Sequence, residues 1–350
     1  MKNSRTRLLA LLSFTSLINA QNNIENFKNK KMNDLEVFKI ESHVSGLKIA
    51  IIHKEPKIPL DDYAILFLHG SSFPSALSFG FKMDNYSMID SMSDNGYEVY
   101  ALDFLGYGNS DRYIEMETNL VKSKAVGRAL DVYIDVDKAV DFIIKKTGKS
   151  KVYLVGHSWG GSVAALYASQ FPDKVSKLVL FAAITQRENT SEAEKIEYSF
   201  ETMTPAERVN SMKNLTPLEK ECQLETEVFN VWGDNWLKSD PLAVKFKSNS
   251  IRFPSGPSQD VEDLLHGKSY YNPSNIKAPV LVIRGEWDQY PDNIDAEKLF
   301  LSLDNAAYKK YVVIEKGTHV MQLEKSRYQL YDEILRFLKF GLNPKSNRRF

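Results

Sequence analysis

Tyr153–Pro172 reads YLVGHSWGGSVAALYASQFP. An apolar run ends in Gly156-His157-Ser158-Trp159-Gly160, and a segment of small residues follows. The run beginning at Lys151 predicts a buried strand, and the segment after Gly160 predicts a helix kept thin by Ser162, Ala164, Ala165 and Ala168. A serine between two such elements, in the pattern G-x-S-x-G, sits on a tight turn that projects its hydroxyl beyond the carboxyl end of the strand. The glycines allow strand and helix to approach where a Cβ would clash. The first N–H groups of the helix then point toward the serine. The chemistry implied is a nucleophilic hydroxyl beside fixed hydrogen-bond donors.

On the amino-terminal side, Val37–Val44 and Leu47–His53 flank Ser45-Gly46 and predict a hairpin. Ala64–Leu68 and Glu98–Phe104 are continuously apolar or nearly so, as strands covered on both faces are. Asp131–Lys146 places Val132, Val136, Ala139, Val140 and Ile143 on one helical stripe. Beyond the serine come the strand Val175–Ala183, the strand Pro279–Gly285, a helix near Asp292–Leu303, the strand Lys310–Glu315 and a final helix from Gln322 to Phe340. Strand–helix alternation at this spacing predicts an α/β fold, a mostly parallel, doubly wound sheet with helices on both faces. Residues 184–275 interrupt the alternation with a charged, helix-prone stretch punctuated by Pro205, Pro217, Pro241, Pro254 and Pro257. They are expected to form a helical cap over a core made of 35–183 and 276–342.

These features resemble the α/β-hydrolase superfamily, over about Val37 to Phe340. The resemblance implies a chain order of serine, then an acid after a later strand, then a histidine after the last strand. Asp288 in RGEWDQY and His319 in EKGTHVMQLE occupy those places, and His319 is the one histidine beyond Asp288. Ser158, His319 and Asp288 are the expected catalytic residues: nucleophile, general base and orienting acid. Asp103, in LDFLGYGNSD, is expected to brace its loop, with the triad acid as its alternative role. The resemblance also implies an oxyanion hole from the main-chain N–H of Trp159 and one from the loop His69-Gly70-Ser71-Ser72, with Ser71 the first choice. His157 and His69 are read as structural, with His157 turned away beneath the bend. Ser72, Trp287, Tyr290, Trp232 and Trp236 are candidate substrate-binding residues, and Trp159 shares the aromatic pocket reading; for Trp232 and Trp236, a place in the core of the insertion is the equal alternative.

The function expected is hydrolysis of a small or medium carboxylic ester through an acyl-enzyme. Three alternatives stand beside it. GHSWGG and a Glu-rich insertion resemble the prolyl-aminopeptidase branch, although His157 and the Ser71-Ser72-Phe73 loop depart from its pattern. Carbon–carbon bond hydrolysis uses the same three side chains, and a ligand receptor could retain them. Substrates that require an aspartate nucleophile are disfavoured by Ser158. The substrate is read as a small-molecule ester or amide.

The 350 residues carry 45 basic and 45 acidic side chains, so no basic field points to nucleic acid. Neither Gly106-x-Gly108 nor Gly148-Lys149-Ser150 completes a nucleotide-binding pattern, and no cofactor or metal is expected. A single cysteine, Cys222, rules out an intramolecular disulfide. MKNSRTRLLALLSFTSLINA has Lys2, Arg5 and Arg7 before an apolar run from Leu8 to Ile18, the layout of a secretory signal ending at Ala20. That run is shorter than the about 17 residues a membrane-spanning helix needs. Export is the expected localisation, a cytoplasmic chain the alternative, and residues 21–34 are expected to be a flexible lead-in.

Overall fold

A computed structural model describes residues 30–32, 34–60, 62–118, 123–189 and 191–341. The expected signal segment, 1–20, and most of the lead-in lie outside the described residues. Nine strands form one sheet: β1 (Lys30–Met32), β2 (Leu35–Glu41), β3 (Lys48–Lys54), β4 (Ile65–Leu68), β5 (Val99–Asp103), β6 (Val152–His157), β7 (Val175–Phe181), β10 (Val280–Gly285) and β11 (Lys309–Ile314). Their spatial order is β1-β2-β3-β5-β4-β6-β7-β10-β11. From β5 to β11 every neighbouring pair is parallel, while β1, β2 and β3 add on antiparallel. The expected α/β class, with a mostly parallel sheet, is the class observed. One difference lies in the lead-in: Lys30–Met32 pairs with Leu35–Val37. The unpaired edge of β2 offers its backbone groups to any extended segment beside it, and polar composition does not prevent that pairing.

Alternation along the strands divides the core into two layers. Leu66, Leu68, Val152 and Leu154 pack with Val136, Val140 and Val163 from the helices Ala129–Thr147 and Trp159–Gln170. Ile65, Phe67, Tyr153 and Val155 pack on the opposite face with Ile89, Met92, Leu330 and Ile334 from the helices Met88–Asp94 and Arg327–Lys339. Strands sandwiched in this way need apolar residues at consecutive positions, which is why their sequences do not alternate.

The order of strands places the site. After β4 the chain builds β5 on one side and β6 on the other, so the loops leaving β4 and β6 diverge over a crevice at the carboxyl ends. Leu68 at the end of β4 is in register with Gly156, two residues before Ser158.

β7 and β10 are sheet neighbours, yet about a hundred residues separate them in sequence. The intervening chain carries the helices Pro205–Lys213, Gly233–Lys238, Pro241–Phe246 and Gly256–Leu265. It also contains an antiparallel pair, β8 (Phe200–Met203) with β9 (Ile251–Pro254), where a wholly helical insertion was expected. These four-residue strands are too short and too mixed to leave a periodic signal.

Helix Gly256–Leu265 is fastened to the core. The Gly256 N–H donates to Val126 O at 2.8 Å, and Arg128 pairs with Asp260 (2.5 Å) and Asp263 (2.6 Å). At the serine turn, the packing of glycines is closer than any side chain permits. A Cβ on Gly156 would lie 2.4 Å from Gly160 O, and one on Gly160 would lie 2.2 Å from His69 O. Gly160→Ala is therefore expected to lower stability by about 2 kcal/mol or more, read as a reduced urea midpoint. An unchanged midpoint would show that strand and helix have room to separate.

Candidate active site

Three loops at the carboxyl ends of β6, β10 and β11 supply the polar side chains. Ser158, directly after β6, has φ 56° and ψ −127°, a conformation that costs a non-glycine residue on the order of 1–3 kcal/mol. Its backbone is held on both sides. Ser158 N donates to Phe181 O at 3.0 Å, and Ser158 O accepts from Gly161 N (2.9 Å) and Ile184 N (3.2 Å).

The β10 and β11 loops are pressed together at Gly285, where a Cβ would stand 2.1 Å from Gly317 O. Trp287 N donates to Gly317 O at 2.9 Å, and Lys316 N donates to Glu286 at 2.9 Å. Buried Arg284 holds the first loop from below, donating to Asp288 O at 2.6 Å and Pro291 O at 3.1 Å. The result is that Asp288 and His319 face each other. His319 Nδ1 lies 3.1 and 3.2 Å from the two Asp288 carboxylate oxygens, and His319 Nε2 lies 2.8 Å from Ser158 Oγ. Asp288 also accepts from Tyr290 N at 2.8 Å, which fixes the carboxylate plane. The three side chains expected from the sequence thus share one hydrogen-bonded line. Asp103 does not join it: its buried carboxylate accepts from Ser75 N (2.9 Å) and Asn109 N (3.0 Å) and braces its own loop.

Two further histidines border the serine. His69 Nδ1 lies 2.7 Å from Gly70 O and its Nε2 accepts from Phe104 N at 3.2 Å. Burial pushes its pKa down to about 4, so it is a neutral brace. His157 departs from expectation: it lines the cavity over Ser158 instead of turning away beneath the bend. Its Nε2 donates to His319 O at 2.9 Å, and burial, followed by the proximity of His319, holds its pKa well below the usual imidazole range. His157 packs on Phe181, on the strand face it shares with Tyr153 and Val155, and the loop after β11 folds over that face to meet it.

The N–H of Trp159 opens its helix and has no partner within it. Ser71, across the crevice, is held through its carbonyl by the Tyr107 hydroxyl at 2.5 Å. No main-chain acceptor pairs with the N–H of either residue among the described residues. A cavity of about 230 Å³ covers Ser158, bounded by Ser71, Ser72, Phe73, Ile184, Arg208 and Tyr290, among others. A larger one, about 1250 Å³, opens beside Arg112, Arg128 and Gln259 and touches none of the three hydrogen-bonded residues.

Of the candidate substrate-binding residues, Ser72 and Tyr290 line the cavity and the tryptophans do not. Trp232 and Trp236 are fully buried against each other, and the Trp232 indole donates to Leu77 O at 3.2 Å. Trp159 is likewise buried, its indole N–H 2.9 Å from Asp260. Trp287 does not line the cavity; its main-chain N–H joins the β10 loop to Gly317. Large rings here fill the joint between insertion and sheet. The sequence reading missed Arg208, Ser211, Leu215 and Val261. Thr204-Pro205 with Glu207 forms a capping box that marks the start of the helix bearing Arg208, but not which face meets the serine.

Residues 63–326 match the family described as alpha/beta hydrolase fold, and the chain belongs to that family. It is a hydrolase. It is 26% identical over 250 residues to a 2-hydroxy-6-oxononadienedioate/2-hydroxy-6-oxononatrienedioate hydrolase of Paraburkholderia phymatum, covering 70% of this chain and 77% of that one. A match at 28% to the poly(3-hydroxyalkanoate) polymerase subunit PhaC of Haloferax mediterranei spans 39% of this chain but only 25% of the relative. Among solved structures, a serine hydrolase involved in carbazole degradation superposes with a TM-score of 0.59 at 16% identity, over 87% of this chain and 99% of that one. No helix among the described residues is long and apolar enough to cross a membrane.

Beneath the His319 loop, Glu324 is buried and accepts from Thr318 N (3.0 Å) and Thr318 Oγ1 (2.5 Å). Burial, reinforced by the Asp288 charge, pushes its pKa from 4.5 up to about 7. The folded state then keeps a proton that the unfolded chain has released, so stability falls as pH rises from about 4.5 to about 7. Glu324→Gln lacks this titration. Urea unfolding of both proteins is expected to show the variant gaining roughly 2–3 kcal/mol on wild type across that window. Parallel pH profiles would exclude a buried neutral carboxyl at this position.

Proposed function

We propose that the chain is a serine hydrolase that cleaves small or medium carboxylic esters through an acyl-enzyme. The observation that carries this reading is the line Ser158–His319–Asp288, with a 2.8 Å contact between hydroxyl and imidazole. An alcohol is too weak an acid to attack at neutral pH unless a base removes its proton during attack. His319 Nε2 takes the Ser158 proton as Oγ bonds to the carbonyl carbon. Asp288 keeps the other proton on Nδ1 and stabilises the imidazolium that forms. The carbonyl oxygen becomes an oxyanion facing the N–H groups of Trp159 and Ser71, and each such donor contributes about 3 kcal/mol in comparable sites. Collapse expels the alcohol, which receives the proton from His319. Water then enters and gives a proton to His319 as its oxygen bonds to the acyl carbon; collapse breaks the bond to Oγ, which takes that proton back from His319, and the acid is released. Residues 184–275 act as the cap that bounds the acyl group.

Hydrolysis of a carbon–carbon bond beside a ketone is a second reading. It is favoured by a relative that covers most of both chains, whose named substrate contains no ester. Short-chain p-nitrophenyl esters, a vinylogous diketone and N-terminal prolyl naphthylamide, offered to the same preparation, separate these readings and the aminopeptidase. Ester turnover is expected to exceed the other two.

Ser158→Ala is expected to lower kcat by about 10⁴-fold or more, and Asp288→Asn by about 10⁴-fold. A fluorophosphonate probe is expected to label wild type stoichiometrically, Ser158→Ala not at all, and His319→Ala only slowly. Equal labelling of Ser158→Ala and wild type would place the nucleophile elsewhere.

A further inference from the structure

The cavity over Ser158 contains one formal charge outside the hydrogen-bonded line, and no carboxylate among the described residues balances it. Arg208, on the helix Pro205–Lys213, reaches the cavity with a half-buried side chain. Its buried Nε has no hydrogen-bond partner. No carboxylate among the described residues pairs with it, and burial alone acts on its titration, lowering its pKa to about 10. It therefore remains a cation at neutral pH.

The other buried arginines are treated differently. Arg112 donates to the carbonyls of Gly108 and Ser110 and faces Asp240 at 3.5 Å. Arg284 donates to Pro291, Asp288 and Asn293, and Arg327 pairs with Glu225 and Asp84. A charge removed from water without a partner costs free energy that folding must recover elsewhere. An exception at the cavity over Ser158 points to a partner supplied by the ligand.

The guanidinium is also positioned. It lies over the Phe73 ring, 5.2 Å from its centroid, and Phe73 packs edge-on against Trp232 at 5.1 Å. Phe73 follows Ser71 and Ser72 in the loop beside the serine, so the cation and that loop are packed as one unit. Ser211, one turn along the same helix, donates its hydroxyl proton to Arg208 O at 2.8 Å, as its hydrogen bond within the helix. Charge recognition is left to Arg208. The remaining walls include Ile184, Leu215 and Val261, suited to a short methylene linker.

We propose that Arg208 binds a substrate carboxylate, so that the preferred substrates are small esters whose acyl part carries a carboxylate a few bonds from the carbonyl attacked by Ser158. A planar guanidinium presents parallel N–H donors that match a carboxylate in two hydrogen bonds. The cavity volume of about 230 Å³ limits the linker to a short one. This assignment rests on the ester reading above.

The test compares kcat/KM for neutral p-nitrophenyl pentanoate with the mono-p-nitrophenyl esters of glutaric and adipic acids, corrected for spontaneous hydrolysis. Wild type is expected to favour one charged ester by about 10- to 100-fold, the range of a charge-assisted hydrogen bond. Arg208→Gln is expected to erase that charged-to-neutral ratio, and Arg208→Lys to retain part of it. Glutarate is expected to inhibit wild type competitively while glutaramide does not, a readout that needs no variant. A wild-type ratio near one for both charged esters, or a ratio unchanged in a folded Arg208→Gln, overturns the proposal. Those outcomes leave ester hydrolysis intact. Absence of turnover on every ester together with no fluorophosphonate labelling removes the ester reading itself.

Discussion

Everything at this site follows from how closely one helix is driven against the sheet. Gly156, Gly160 and Gly161 let the helix Trp159–Gln170 approach β6, the end of β4 and the turn after β7, each within distances that any Cβ would violate. Closeness forces the connecting residue into a positive φ, and Ser158 takes that role despite its side chain. The strain is offset by four main-chain hydrogen bonds and by burial of the helix from Trp159 to Ala168. In return, the serine hydroxyl stands clear of the strand, beside the first N–H of the helix. A looser turn would relieve the backbone and lose both features.

The insertion is tied to that same turn. Asp260 accepts from Arg128, from Ala129 N at 2.6 Å and from the Trp159 indole at 2.9 Å. One buried carboxylate therefore joins an insertion helix, the start of the helix Ala129–Thr147 and the residue after Ser158. Arginine and backbone donors compensate part of its desolvation, although burial still raises its pKa. The buried stack of Phe73, Trp232 and Trp236 makes a second joint on the other side of the cavity. Between these joints the helix Pro205–Lys213 is placed by packing rather than by covalent proximity to the core. Loss of either joint shifts the cavity wall without touching the serine turn.

Those joints also mark the limit of what the sequence could reveal. Ser158, Asp288 and His319 were legible because each follows a buried strand, and parallel strands deliver their carboxyl ends to one edge. The sheet was legible because its strands are apolar at consecutive positions and the helices between them are periodic. The insertion obeys neither rule. Its strands are short, and Trp232 and Trp236 take the core role that stood beside the pocket reading, while Trp159 and Trp287, assigned to the pocket because they adjoin the site in sequence, do not line it. Arg208 was invisible for the opposite reason: an arginine on an exposed-looking helix reads as solvated until the fold shows what it faces. His157 was misplaced because the loop carrying His319 folds over the end of β6, a long-range contact that no local pattern records.

Environment, finally, gives the three imidazoles around the hydroxyl different roles. His69 and His157 are shut into sites that disfavour charge, and each makes a hydrogen bond to a main-chain group that fixes a neutral tautomer. Neither faces a carboxylate. His319 alone has Asp288 against one nitrogen and the serine hydroxyl against the other. A base must accept a proton and remain stable while it holds it, and a carboxylate contact supplies that stability where burial would remove it. His157 contributes at one remove, by donating to the His319 carbonyl, so that a histidine kept neutral helps hold the ring that bridges Asp288 and Ser158. The division of labour among chemically identical rings is therefore set by which of them the β10 loop can reach.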